Sequence, residues 1–198
     1  MTTSPPDVAP DARREPPSPT VLLVAFGGLM ASLAAGYGVL FTIVDDYSDE
    51  YGINETAIGV DIGIGFVAAF LAQVAIAPLA DRGHARSVVL FGVGINVVGL
   101  LLMGFSTTLT PILIGRFISG LGIGAAVPAA RRIVILADPN HLGQNLGRLH
   151  AADVFGFAMG PAVSALLVGP FGIPAPFNDE AAATAERLTI VARVQAVS

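Results

Sequence analysis

Four long stretches of this chain, residues 21–44, 62–80, 87–115 and 154–178, contain no Asp, Glu, Lys or Arg. Each is close to, or longer than, the ~20 apolar residues that a helix needs to cross a bilayer. In hydrocarbon the backbone polar groups must be paired within the chain, which a helix does inside its own segment. The chain is therefore read as an all-α membrane protein. Its composition agrees, with 54% hydrophobic and 13% charged residues and a mean hydropathy of +0.73, where soluble domains carry about 25% charge. The 23 Gly and 14 Pro lie inside the apolar runs as well as between them, a usage that membrane helices tolerate.

Five helices are expected, at 21–44, 56–79, 87–105, 111–132 and 149–168, with Thr56 capping the second and Pro111 in the first turn of the fourth. Residues 1–19, rich in Pro, Ser, Thr, Asp and Arg, have little to bury and are expected to form a disordered cytoplasmic tail. Arg13 and Arg14 precede the first apolar run, and Ser32-Leu33-Ala34 has the character of a cleavage site. That run is nonetheless much longer than the ~7–15-residue core of a signal peptide, so the first helix is expected to be retained. Sidedness follows from arginine. Arg13, Arg14, Arg82, Arg86, Arg131, Arg132 and Arg148 fall on one side, whereas the loop 45–55 on the other holds five acids and no base. The positive-inside rule then places the N-terminus in the cytoplasm. The expected location is the cell (inner) membrane, multi-pass.

Several function classes find no support. The chain has no Cys, hence no disulfide framework and no thiolate metal site. His84, His141 and His150 lack metal-ligand spacing, so neither a metal nor a cofactor is expected. The net charge of −5 comes from acids clustered in loops, and no basic patch invites nucleic acid. All ten basic residues are Arg, which is read as base-composition bias. Gly120-x-Gly122-x-Gly124 imitates a phosphate loop, but no strand precedes it. No nucleophile elbow occurs, and no enzyme is expected. Small residues four apart, as in Gly28/Ser32/Gly36, Gly65/Ala69, Gly120/Gly124 and Gly156/Gly160, read as close helix packing in lipid.

Three patterns, taken in order, resemble the N-terminal half of a major facilitator superfamily transporter, of the drug/proton antiporter type. Leu79-Ala80-Asp81-Arg82 followed by Arg86 is similar to the superfamily's loop between helices two and three. Ala77, His84 and Ala85 stand where that signature has two glycines and a base. Arg116-Phe117-Ile118-Ser119-Gly120-Leu121-Gly122-Ile123-Gly124-Ala125-Ala126 closely resembles the helix-four signature. Gly156-Phe157-Ala158-Met159-Gly160-Pro161 is similar to the helix-five signature of antiporters, with Ser164 and Ala165 in place of its closing glycine pair. The resemblance covers about residues 20–172. It implies a bundle of about five transmembrane helices, most of one six-helix half, and multidrug-type efflux by alternating access.

The candidate site residues follow from depth and from that resemblance. Arg116 lies about six residues into the fourth helix, where a charge costs at least ~2.5 kcal/mol, so it should face a cavity or a carboxylate. The resemblance ties it to proton coupling; a structural ion pair is the alternative. Asp61 sits at similar depth in the second helix and is the expected partner, unless it lies at the water interface. Ser32, Tyr37 and Ser119 complete the preferred solute-contacting set, with Gln73 as a further polar side chain. Asp81 is implied to be a conformational latch, with Arg82 and Arg86 either part of it or topology anchors. Gly160 and Pro161 are assigned to the same switching role, Pro161 by kinking the fifth helix. Asp153 is expected either to pair with Arg148 or to be solvated.

The expected function is transport of a small organic solute, coupled to protons and directed outward. The alternative is a truncated, non-transporting fragment or a membrane assembly subunit. Residues 173–198 carry Asp179, Glu180, Glu186, Arg187 and Arg193 and are expected to be a divergent tail in place of a sixth helix, at most a weak amphipathic helix. The expected partners are the lipid bilayer, the solute, protons and a second chain supplying the missing half.

Overall fold

The structure is a computed structural model and describes residues 17–42, 44–52 and 54–196. The expected N-terminal tail therefore lies almost wholly outside the described residues. The chain folds as α1 (Pro19–Thr42), a short α2 (Val44–Tyr51), α3 (Glu55–Ala75), a single turn α4 (Ala77–Leu79), α5 (Ala85–Gly104), α6 (Leu109–Ala137), α7 (Leu142–Phe171) and α8 (Pro174–Ala196). No strand occurs among the described residues. Four helical stretches among them are long and apolar enough to cross a bilayer: Pro19–Phe41, Gly59–Gly104, Leu109–Ala137 and Pro139–Phe171. The second, at 46 residues, turns back on itself through a π-type turn at Ala80–His84, where Gly83 takes φ 90°. A side chain is strained at that φ, and glycine is not.

The bundle wears its apolar residues outside. Val24, Phe70, Phe91 and Leu166 are 69%, 65%, 62% and 75% exposed, which fits lipid and not water. Its interior is instead built from small residues. α6 is the centre of one half and packs on α5 and α3; α1 packs on α7 and α8. Gly120 and Gly124, one turn apart, press on the carbonyls of Gly65 and Ala69 of α3, while Gly122 presses on Gly92 and Asn96 of α5. Two residues rotate a helix by about 200°, so the alternating glycines serve opposite faces of α6. On α7, Gly156 and Gly160 meet the carbonyls of Ala31 and Ala35 in α1. Larger side chains fill two clusters. One, around Phe26, Met30, Val89 and Leu149, lies toward the arginine-rich end. The other, around Leu40, Met103, Ile112 and Phe177, lies toward the acidic end.

The structure departs from the sequence expectations at several points. Asn54, not Thr56, caps α3, its Oδ1 accepting from the Ala57 N–H at 2.8 Å. The loop 45–55 contains the helix α2. α6 runs past 132 because the apolar Ile133–Ala137 continues it, with Val134 buried, and α7 begins before 149 because the mostly polar Leu142–Arg148 forms its first turns. α7 continues beyond 168 to Phe171 and holds both Pro161 and Pro170. The largest difference is the tail, which forms α8, a helix of 23 residues packed on α1 and α5. Phe177, Ala181, Thr184 and Val191 form its buried face. A charge count along the sequence averages that face with Asp179, Glu186 and Arg193, which are exposed.

Gly156→Val forces a Cβ into the Ala31 carbonyl and should destabilise the chain by about 1–3 kcal/mol or more. Gly143→Ala, with open space around it, should be neutral or slightly stabilising. Thermal unfolding followed by circular dichroism in detergent checks the contrast; equal midpoints for both variants would refute the packing account.

Candidate functional site: a cavity between α1, α3, α6 and α7

A cavity of about 420 Å³ opens where α1, α3, α6 and α7 diverge. Its floor is apolar, from Leu33, Ala69, Ile123 and Val127, and three aromatic rings wall it: Tyr37, Phe66 and Phe157. Tyr37 and Phe66 stack with centroids 5.4 Å apart and planes at 23°. Phe157 meets Phe41 edge-on at 5.8 Å. Polar groups gather at one end, where Gln73, Arg131 and Asp153 line the wall and Arg131 bonds Asp153 at 3.2 Å.

Arg116 lies behind this wall. It is 1% exposed, and its Cζ sits 4.1 Å from the centre of the Tyr37 ring, a cation–π contact strengthened by removal from water. The route to Tyr37 passes over Gly65, where any Cβ would overlap the guanidinium and stand 2.8 Å from Cζ. Among the described residues its Nε and Nη2 find no hydrogen-bond partner. Asp61, 3% exposed, lies one turn away from Gly65 on the same α3 seam, and its Oδ1 is likewise unpaired. The two buried charges interact electrostatically, yet among the described residues no ion pair joins them. The gap left by Gly65 lets the arginine reach across α3 to the ring on α1.

The other candidates separate. Tyr37 and Gln73 line the cavity. Ser119 turns away from it and accepts a hydrogen bond from Asn96 Nδ2 at 2.8 Å, tying α6 to α5. Ser32 lies in another cleft, toward α8. Gly160 and Pro161 pack against Ala35 and Gly38 of α1. Asp153 is bonded to Arg131 of α6, not to Arg148, because both Asp153 and Arg148 lie in α7 and five residues turn their side chains about 140° apart. Asp81 pairs with Arg132 Nη1 at 2.7 Å, which fastens the turn at 80–84 to the end of α6. Arg82 and Arg86 are exposed. Sequence reasoning missed Phe66, Phe157 and the Arg131–Asp153 pair; their one signal was that Arg131 and Asp153 fall at the same end of neighbouring helices.

The sequence is similar to that of known proteins over most of its length. The sequence fits the family model of the Major Facilitator Superfamily across residues 24–182. The chain belongs to the major facilitator superfamily. Similar proteins include an MFS-type transporter of Methanocaldococcus jannaschii, 27% identical over 72% of this chain and 37% of that one. The 4-hydroxybenzoate transporter of Pseudomonas aeruginosa is 29% identical over 63% of this chain and 28% of its own length. The multidrug resistance protein MdtG of a Rahnella strain is 30% identical over 86% of this chain and 42% of its own length. The chain thus spans between a quarter and a half of these relatives. As a superfamily member with several apolar helices, it is a multi-pass membrane protein.

At the arginine-rich end, between α6 and α7, Asp138 is bonded by His141 Nδ1 at 2.9 Å and by Asn145 Nδ2 at 3.1 Å. Those hydrogen bonds, His141 first and Asn145 next, hold its carboxyl below the usual range. A lowered carboxylate stabilises the fold above its ordinary pKa of about 3.9, and the contribution disappears as pH falls through the lowered value. Asn145→Ala should bring the Asp138 titration back up toward the ordinary range, as read from its carboxyl carbon shift; an unmoved titration would refute the Asn145 contribution.

Arg116 and Asp61 are both buried and interact. Removing one of two interacting buried charges strands the other, at about 3–5 kcal/mol, whereas replacing both is often neutral or stabilising by about 1–4 kcal/mol. Arg116→Met should therefore lower the thermal midpoint in detergent, and adding Asp61→Asn should restore it. An unchanged midpoint in Arg116→Met, or no recovery in the double variant, would refute the coupling of the two charges.

Proposed function

We propose that this chain forms one side of an alternating-access pathway that carries a small organic solute out across the cell membrane, coupled to protons. The observation that carries the reading is the aromatic-walled cavity of about 420 Å³ with Arg116 buried behind Tyr37. Such a cavity, mostly apolar with a few placed polar groups, suits a drug-sized ligand. In this proposal Tyr37, Phe66 and Phe157 hold the apolar body of the solute, and Gln73 and the Arg131–Asp153 pair orient its polar end. Arg116 and Asp61 respond to protonation on the α3–α6 seam. The N-terminus faces the cytoplasm, and the Asp81–Arg132 link, with Arg82, Arg86, Gly160 and Pro161, steadies one of the two conformations. The names of the relatives, a multidrug resistance protein and a 4-hydroxybenzoate transporter, support organic solutes as the cargo class.

Alternating access needs a second bundle opposite the cavity. In this reading it comes from a further segment of polypeptide or from a second chain. The relatives are more than twice as long as the matched region, which favours keeping a second reading, that of a membrane subunit that assembles with a partner.

Vesicles containing the purified protein, with 4-hydroxybenzoate and ethidium as probes, separate the readings. Flux driven by an imposed pH gradient, lost in Arg116→Met and Asp61→Asn, is the expected result. No flux of either solute or of protons under any gradient would overturn the transport reading.

A further inference from the structure

On the seam between α3 and α6 two buried charges stand at one level without bonding each other. Arg116 is 1% and Asp61 3% exposed, and among the described residues no ion pair joins them. Asp61 lies six residues after the start of α3 at Glu55, and Arg116 seven after the start of α6 at Leu109. Both are therefore about 9–11 Å below the acidic end of the bundle. One turn deeper the two backbones meet, where Gly120 presses on the carbonyl of Gly65. At the level of the charges the helices part. A groove of about 580 Å³, with Val60, Ile64, Leu113 and Phe117 in its wall, runs along the outer side of the same stretch. Neither charge lines that groove.

Among the described residues, the titratable groups acting on Arg116 are Tyr37 of α1 and Asp61 of α3, and Arg116 alone acts on Asp61. On its α5 side, α6 meets the neutral pair Asn96 and Ser119. Arg116 Nε and Nη2 and Asp61 Oδ1 have no hydrogen-bond partner among these residues. With Asp61 ionised, the two charges sum to zero. A proton on Asp61 changes both the charge and the hydrogen-bonding capacity of the seam. The guanidinium is then a buried cation without a counter-charge, a costly state. The new O–H joins Nε–H and Nη2–H as a third donor without an acceptor. The Tyr37 ring, 4.1 Å from Cζ, offers its face to the cation and carries no full negative charge. A small anion supplies both the charge and the acceptor.

We propose that the α3–α6 seam binds one small inorganic anion, of the size of chloride, between Arg116 and protonated Asp61. The inference goes beyond the transport reading and rests on it only in taking Asp61 as the group that protonates. Tyr37 borders both the aromatic cavity and Arg116, so the cavity is the ion's approach. Wider anions are excluded by the backbone contact of Gly65 and Gly120 one turn deeper. By linkage, the anion favours the proton on Asp61 as much as the proton favours the anion.

Thermal unfolding of the whole chain in detergent tests this, with sodium chloride exchanged for sodium gluconate at constant ionic strength, in acid and in alkaline buffer. Chloride should raise the midpoint of the unmodified chain by about 2–4 °C in acid, and by less in alkali. Asp61→Asn, which keeps the seam in its uncharged form, should show the rise in both buffers. The double variant Arg116→Met with Asp61→Asn, which leaves no charge on the seam, should show none. Should Asp61→Asn fail to fold, broadening of the chloride magnetic-resonance line by the unmodified chain in acid, absent with the double variant, decides the matter. No rise in acid is the result for a seam bridged by water alone, and it would overturn the proposal. A rise equal in both buffers for the unmodified chain, or one retained by the double variant, would overturn it as well. Flux without a chloride effect removes this inference and leaves the transport reading; a chloride effect without flux does the reverse.

Discussion

Close approach of helix backbones is the constraint on which the rest of this structure depends. In lipid the hydrophobic effect does not press helices together, and association rests on dispersion contacts and interhelical hydrogen bonds. Both need short distances. The glycines at 120, 122 and 124 bring α6 against α3 on one face and α5 on the other, and Gly156 and Gly160 do the same for α7 against α1. Only after these contacts are made do the side chains of the cavity stand where they do. Gly65 serves both ends, since it touches Gly120 and also clears the path of Arg116.

The site inherits its character from this packing. An arginine at membrane depth needs compensation, and here the compensation is a ring face in place of a carboxylate contact. Tyr37 in turn is stacked on Phe66, so the cation, the phenol and the phenyl ring form a layered unit across α6, α1 and α3. The cavity wall and the buried charge are therefore one construction. A change in the position of any ring is felt by the guanidinium, because a cation–π contact depends on distance and on the ring face.

Much of the fold was legible because hydrophobic length and glycine spacing are one-dimensional signals. The described residues hold four helical stretches long and apolar enough to cross a bilayer, as an all-α membrane protein should, and the resemblance in Arg116–Ala126 led to the family. α8 was not legible. Its burial is set by which face meets α1, and the groove that accepts Glu180 and Arg187 is written in Gly28 and Gly36, far away in sequence. The same limit explains the site. Arg116 and Tyr37 could be nominated from depth and side-chain type, but Phe66 and Phe157 look like any lipid-facing phenylalanine until the helices are placed. Ser119 and Ser32 look like solute contacts until each is seen to face another helix. Helix ends were misjudged where polar residues continue a helix beyond its apolar core, as at Leu142–Arg148.

The glycine contacts also divide the bundle mechanically. α3, α6 and α5 are locked backbone to backbone, and so are α1 and α7, with α8 packed on both α1 and α5 and bridging the two blocks on the side the cavity does not reach. The aromatic cavity opens along the join between these two blocks, where side chains and not backbones meet. Its width is then set by the angle between two stiff leaves. A small tilt at the join widens or narrows the chamber, and every glycine contact inside each leaf stays intact.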